Sequence, residues 1–241
     1  MDFYEEWSKK RDDEQYMRDF LHKAEWSREI FVNGSDPDVR KACNLLKSIP
    51  IDSFISMVRV IPIDRLPTTD EIPQCGTLEK AVCEVPQALA FAPEGLLCAE
   101  LGLRLGAENH GDAPRKSGEG NGKMACAMDL AIRMKLPSDS KSGKKYGYRI
   151  SSLGRYLLRF TDIEDKMDII ARLSLREYVV QYLIAKAADG YVSYDEAVSA
   201  LKSPVTRMRR RQNVRRIMTF IDSQLVDGPS YCDMIDWDIR S

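Results

Sequence analysis

The sequence predicts a mainly helical fold that contains a small β-hairpin. Apolar residues recur every three or four positions through most of the chain, which is the period of an amphipathic helix. The alternation of Tyr146, Tyr148 and Ile150 has instead the two-residue period of a strand. Clusters of glycine, proline, serine and aspartate separate these segments and mark the turns and loops between them.

The composition places the chain among ordinary globular proteins. Its 241 residues are 44% hydrophobic and 30% charged, enough for one large or two modest domains. No apolar run approaches the roughly 20 residues that span a bilayer, and the acidic start of the chain lacks the apolar core of a signal peptide. Six cysteines are scattered without a C-x-x-C pair, beside two histidines. We therefore expect a cytoplasmic protein that contacts no membrane and holds no metal or cofactor.

Residues 1–70 predict a helical N-terminal part. Residues 2–32 have the composition of a helix, and an Asp-Pro pair at Asp36 starts another. Residues 51–63 fit either a strand or a helix, and residues 64–76 contain two prolines and a glycine that predict a linker. We expect this part to serve in dimerisation or in docking a protein partner.

The next segment predicts helices around a hairpin. Residues 93–106 carry a leucine stripe and a final glycine, as expected of a helix with its C-cap. A polar, glycine-rich stretch follows, and then apolar spacing predicts a second helix over residues 122–136. A basic loop leads into a strand at 144–150, and one of the two serines at 151–152 caps the helix after it.

This order of helix, connection, helix, basic hairpin and helix resembles a winged helix-turn-helix. The phrase KKYGYRISSLGRYLL is similar to the wing strand and following helix of prokaryotic winged-helix modules. The resemblance covers residues 93–160 and implies a winged helix within 77–160, of the kind found in transcription regulators and restriction or other defence proteins. In such modules one helix enters the major groove and the basic hairpin lies on flanking phosphates. A connection of about 14 residues between the first two helices departs from the usual tight turn.

The charge distribution favours nucleic acid as a partner, although the net charge is −1. Residues 101–160 hold 12 Lys or Arg against 5 Asp or Glu, and residues 201–220 hold 7 against none. Two basic blocks in an otherwise acidic chain are typical of phosphate binding, or of solvated surfaces paired with the acidic segments. The residues that we expect to contact DNA are Lys123, Arg133, Lys144, Lys145, Tyr146, Arg149, Arg207, Arg210, Arg211 and Arg215.

Residues 161–241 predict a unit of three helices. Capping boxes of the form S-x-x-E begin at Ser174 and at Ser193, and each predicts the start of a helix. A Ser-Pro pair at Pro204 predicts a third helix that runs to about Leu225. This unit is either a second helix-turn-helix or a helical cap on the winged helix.

The third of these helices contains the densest group of cations. Arg207, Arg210 and Arg211 continue an apolar stripe that must face a core, formed by Val214, Ile217, Met218, Ile221 and Leu225. Because cations are unfavourable in a core, we expect the first two turns to project beyond the packed body. There they would offer guanidinium groups to phosphate or guanine. The alternative is a patch that pairs with the acidic N-terminal half.

The sequence gives little indication of catalysis. The stretch SGEGNGK lacks the first glycine and the final Ser or Thr of a phosphate-binding loop, so we interpret it as a flexible tip before a helix. His22 and His110 stand apart from any nucleophile pattern, and no strand carries the spaced carboxylates of a magnesium-dependent nuclease.

Three functions therefore stay open from the sequence alone. The first is a DNA-binding protein that acts as a transcription regulator or as the recognition component of a restriction or defence system. The second is an adaptor that docks a protein through a winged-helix fold, since a fold does not fix a function. The third is a nuclease whose site is unrecognised.

Overall fold

The computed structural model is mainly helical with a small antiparallel sheet, as the sequence predicts. It describes residues 28–59, 62–73, 77–137, 144–226 and 228–240. The expected helix over residues 2–32 lies mostly outside this range, although residues 28–33 are helical. No helix among the described residues is long and apolar enough to cross a membrane.

The bounds of the elements in chain order are as follows. The helices are α1 Asp36–Ser48, α2 Ile51–Arg59, α3 Val85–Ala90, α4 Cys98–Arg104, α5 Ala113–Ala127, α6 Ser152–Leu157, α7 Ile163–Ser174, α8 Tyr178–Ala188, α9 Tyr194–Ala197 and α10 Pro204–Asp222. A 3-10 turn spans Thr69–Glu71, and a π-helical segment, Lys80–Glu84, precedes α3. The strands are β1 Leu96–Leu97, β2 Ala131–Pro137, β3 Lys144–Ile150, β4 Val192–Ser193 and β5 Ile235–Asp236.

The chain forms two compact units. The hairpin unit consists of Arg28–Arg40 and Pro73–Lys166. The long-helix unit contains Lys41–Ile72 and the chain from Met167 onward. This grouping differs from the three-part division that we expected, because α2 packs against α8 rather than within a separate N-terminal part.

The sheet of the hairpin unit has the strand order β1-β3-β2, and all its pairs are antiparallel. Tyr148 lies in the central strand, opposite Leu96 on one side and Arg133 on the other. Its side chain is fully buried, and its hydroxyl donates to the carbonyl of Glu119 over 3.2 Å. The predicted hairpin that ends at Ile150 is confirmed, and so is the cap after it, since Ser151 Oγ accepts from the amide of Gly154.

The glycine-rich stretch is the interior of a helix, so the prediction of a flexible tip is wrong. A Cβ atom on Gly118 would lie 1.8 Å from the carbonyl oxygen of Cys98, and one on Gly122 would lie 2.3 Å from the ring of Tyr148. The glycines therefore let α5 approach α4 and the sheet more closely than any larger residue allows.

The second helix of this unit also has different bounds from those predicted. It spans Ala113–Ala127 rather than residues 122–136, and the chain forms a strand from Ala131. Asp129 has a φ of 56° in the turn between them, which ends the helix. Because the helix begins earlier, the connection from α4 covers only residues 105–112.

The long-helix unit joins α2, the part of α7 from Met167, and α8–α10 around an apolar core, with β4 and β5 forming a parallel pair. The undecided segment at 51–63 is helical over Ile51–Arg59. The capping box at Ser193 is confirmed, since Ser193 Oγ accepts from the amide of Glu196. The one at Ser174 is wrong, because this residue ends α7 and its hydroxyl donates to the carbonyl of Ile170.

Candidate nucleic-acid interface

The hairpin carries a cationic and aromatic surface. Arg133 and Lys135 lie on β2, and Lys145 and Tyr146 lie on β3; we call these four residues the hairpin surface. Neither strand contains an acidic residue. The guanidinium carbon of Arg133 lies 4.0 Å from the centre of the Tyr146 ring, and Lys135 Nζ lies 5.9 Å from it. Tyr146 is nevertheless 49% exposed, so the stack presents a planar surface to solvent.

A ladder of ion pairs runs along the exposed side of α5. Arg115 pairs with Asp112 and with Glu119, and Lys123 Nζ lies 2.9 Å from Glu119. The hydrogen bond from Lys123, followed by the charges of Lys123, Arg115 and Arg133, holds the pKa of Glu119 below its usual value despite partial burial. Glu119 is therefore a carboxylate at neutral pH, and it partly neutralises the cations around it.

A groove of about 430 Å³ joins the hairpin surface to this ladder. Its lining residues come from β1, the start of α4, α5 and both strands of the hairpin: Leu97, Cys98, Ala99, Arg115, Glu119, Arg133, Lys145 and Tyr146. Cys98 Sγ donates to the carbonyl of Tyr146 over 3.2 Å, and burial raises the pKa of this thiol. A protonated thiol with this contact positions β3 against α4 rather than acting as a nucleophile.

Two other predicted contacts of the hairpin unit, Lys123 and Arg149, are not among the residues that line this groove. Arg149 is half-buried on β3 opposite Ile132, and its Nε is buried without a hydrogen-bond partner among the described residues. Lys144 begins β3, but its side chain is outside the described part of the structure, as is most of the basic loop, residues 138–143.

The arginines at the start of α10 are anchored within the long-helix unit. Arg207 Nη1 lies 2.7 Å from Asp195, and its Nε donates to the carbonyl of Leu201 over 2.7 Å. Arg211 donates to the carbonyl of Trp237 over 3.0 Å. Both side chains are partly buried.

Arg210 overturns the expectation that this part of α10 projects beyond the packed body. It is only 7% exposed, and its Nη1 donates to the carbonyls of Thr69 (3.2 Å) and Ile72 (2.9 Å). The expectation was wrong because backbone carbonyls can replace the water that a guanidinium loses on burial. We call Arg207, Arg210 and Arg211 the inner arginines.

The opposite side of α10 carries polar, cationic and apolar residues that are not among the predicted contacts. This outer face consists of Val205, Met208, Arg209, Gln212 and Arg216, all of which are exposed. Arg215, the fourth predicted contact on this helix, is exposed beside it, with its guanidinium 5.9 Å from the ring centre of Trp237. The sequence could have indicated these residues as exposed, because on a helix of 3.6 residues per turn their positions lie opposite the core stripe.

The described residues contain no group of three or more His, Cys, Asp or Glu side chains placed to hold a metal ion. Comparisons with protein-family models, with curated proteins and with solved structures found no match for this chain.

Proposed function

We propose that this chain is a cytoplasmic duplex-DNA-binding protein whose hairpin unit is a winged helix-turn-helix. In this assignment α4 and α5 are the helix pair, α5 enters the major groove, and β2 with β3 forms the wing. The order of elements and the strand order β1-β3-β2 support it. The short connection between α4 and α5 supports it further, because the long connection expected from the sequence is replaced by residues 105–112.

The observation that carries the proposal is the hairpin surface beside α5. Three cations and an exposed tyrosine lie on two strands without a carboxylate, and Arg133, Lys145 and Tyr146 among them line a groove whose other side is α5. Phosphates supply most of the affinity in protein–DNA complexes, and a guanidinium binds them through paired hydrogen bonds. Stacking on Tyr146 fixes the plane of Arg133, which lowers the entropy cost of binding a phosphate.

Two roles follow from the same contact, and both are part of the proposal. A transcription regulator needs DNA affinity with sequence preference, and so does the recognition component of a restriction or defence system. The helix contacts would supply the preference and the hairpin surface the sequence-independent affinity.

Salt dependence of binding tests the proposal. We expect the logarithm of the affinity for a labelled duplex to fall linearly with the logarithm of the salt concentration, as measured by fluorescence anisotropy. The double variant R133A/K145A should reduce that slope by about 0.9 for each phosphate that it no longer neutralises. R40A/R155A is the matched control, because it removes two exposed arginines of the same unit that do not line the groove.

Three results would count against the proposal. One is wild-type affinity and slope in R133A/K145A, and another is an equal effect in the control variant. The third is the absence of duplex binding at low salt, which would favour the adaptor that docks a protein. Thermal melts of both variants establish that any change reflects binding rather than unfolding.

A further inference from the structure

The long-helix unit repeats the architecture of the hairpin unit up to its longest helix. In the hairpin unit, α3 is followed by a glycine with positive φ (Gly95, 96°), the short strand β1, the short helix α4 and the long helix α5. In the long-helix unit, α8 is followed by Gly190 (φ 135°), β4, α9 and α10. The order of the elements corresponds throughout, and in each unit a short strand and a short helix precede the longest helix.

Local chemistry follows the same correspondence. Each short helix begins with a hydrogen bond across three residues, although the groups differ. The amide of Leu97 donates to the carboxylate of Glu100 in one unit, and the amide of Glu196 donates to Ser193 Oγ in the other. Each long helix has a proline in its first turn. The correspondence ends there, because β4 pairs with β5 in parallel, whereas β1 pairs with a strand of the hairpin. Helix α10 therefore occupies the position that α5 holds in its own unit.

The inner arginines hold α10 on its unit and determine which side faces solvent. Arg207 contacts Asp195 in α9, and Arg210 contacts the carbonyls of Thr69 and Ile72. Arg211 contacts the carbonyl of Trp237. With that side fixed, the outer face is turned to solvent along several turns of the helix. It presents Arg209, Gln212 and Arg216, and no acidic residue occurs between positions 201 and 220.

We propose that the outer face of α10 is a second duplex-DNA contact. Arg209 and Arg216 lie seven residues apart, or roughly 10 Å along the helix, and each can donate to phosphate or to a guanine edge. Gln212, between them, can bond an adenine, and the exposed Val205 and Met208 can contact thymine methyl groups. Residues 201–220 carry only positive charges, so this face is complementary to duplex DNA, whose grooves are lined by anionic phosphates.

This contact is separate from the one proposed for the hairpin unit, and the two can fail independently. The full chain is compared with R209A/R216A and with Q212A by anisotropy on a labelled duplex at several salt concentrations. R209A/R216A should reduce the salt slope by about 0.9 for each phosphate that the helix no longer neutralises. Its matched control is R59A/R240A, which removes two arginines of the same unit that lie outside α10.

Each outcome decides for or against the second contact. A reduced slope in R209A/R216A, with the control at wild-type values and unchanged thermal melting, supports it. A reduced preference at one base position in Q212A adds that α10 reads sequence. Wild-type affinity and slope in R209A/R216A overturn it. If only R133A/K145A keeps wild-type binding, the hairpin contact fails and the one on α10 stands.

Discussion

The two units present their arginines in opposite ways. In the hairpin unit, Arg133 lies on a strand, stacks on an exposed ring and faces a groove. In the long-helix unit, Arg210 lies on the core side of α10, is buried and donates to two backbone carbonyls. Both belong to basic blocks of the sequence, so the density of positive charge alone does not distinguish a binding surface from an anchor.

The difference lies in the acceptors that the fold provides. A guanidinium can leave water only where other oxygens replace its hydration, and the carbonyls of the turn at Thr69–Glu71 and of Ile72 do this for Arg210. Arg133 and Lys145 are exposed on β2 and β3, where the carbonyls that face the neighbouring strand already accept hydrogen bonds in the sheet. The location of spare acceptors therefore separates the inner arginines from the candidate contacts.

The largest predicted effect follows from the burial of Arg210. In R210A, the carbonyls of Thr69 and Ile72 lose their donor and the removed side chain leaves a cavity. We predict that the free energy of unfolding falls by about 3 kcal/mol, measured by chemical denaturation. The adjacent R209A is the control and should stay within about 0.5 kcal/mol of wild type, because Arg209 is exposed. Equal stability of the two variants would contradict the anchoring role of Arg210.

Much of the local structure could be predicted from the sequence because its causes are local. The alternation in β3, the caps at Ser151 and Ser193, and the proline that begins α10 all depend on residues within one turn. The core stripe of α10 is correct for Val214, Ile217, Met218 and Ile221, which are buried, but not for Leu225, which lies beyond the end of the helix at Asp222 and is half-buried. Contacts between distant segments account for what was missed: the carbonyl of Ile72 lies 138 positions from Arg210 in the sequence.

The candidate site, like the fold, was predictable from the sequence only in part. A basic hairpin with a tyrosine predicts Lys145 and Tyr146 as surface contacts, and Arg133 was predicted as an exposed residue of a helix over 122–136. All three line the groove, although Arg133 lies on β2. The groove itself was not predictable, because its other side is α5, and three glycines within five residues predict a loop. Close packing of α4 and the sheet against Gly118 and Gly122 overrides that weak helical propensity.

The second prediction tests this packing in the hairpin unit. In G118A, the new Cβ would meet the carbonyl oxygen of Cys98, so α4 and α5 must move apart. We predict a decrease of about 2–3 kcal/mol in the free energy of unfolding, from denaturation curves. S117A, a change at a half-exposed position in the same helix, is the control and should have little effect. If G118A proves as stable as S117A, the close approach of the two helices is incorrect.

The third prediction concerns the turn that holds Arg210. Glu71 belongs to this turn and accepts two hydrogen bonds from the guanidinium of Arg65, which, together with bonds from Thr68, lowers the pKa of its carboxyl to about 2. Because the folded pKa is below the unfolded value, the pair stabilises the protein above about pH 4.5, and this contribution is lost as the pH falls toward 2.

The variant E71Q should therefore be less stable than wild type at pH 7, and by less than R210A. The difference should shrink as the pH is lowered from 5 toward 2, in denaturation curves at each pH. A double-mutant cycle of E71Q with R210A should be non-additive, since both changes act on the same turn. A constant difference between wild type and E71Q across this range would exclude the proposed ionisation.

The smallest predicted effect concerns Glu119 of the hairpin unit, because the negative charge of this carboxylate disfavours the binding of DNA. Glu119 lines the groove and occupies Lys123 and Arg115, so it repels a phosphate and withholds two cations from it. In E119Q we predict that affinity for duplex DNA rises by about threefold to fivefold at low salt, the scale of one unit-charge interaction near a solvated surface. The gain should fade as salt rises, because screening removes the repulsion.

Anisotropy with the same labelled duplex measures this gain, and E94Q is the control, because Glu94 is exposed outside the groove. A general effect of net charge would strengthen binding equally in both variants, whereas a groove that receives phosphate responds to E119Q alone. Weaker binding in E119Q would mean that the ion-pair ladder of α5 orients Arg115 and Lys123 for DNA rather than competing with it. In that case Glu119 would be a positioning residue, and R115A and K123A should each reduce the salt slope.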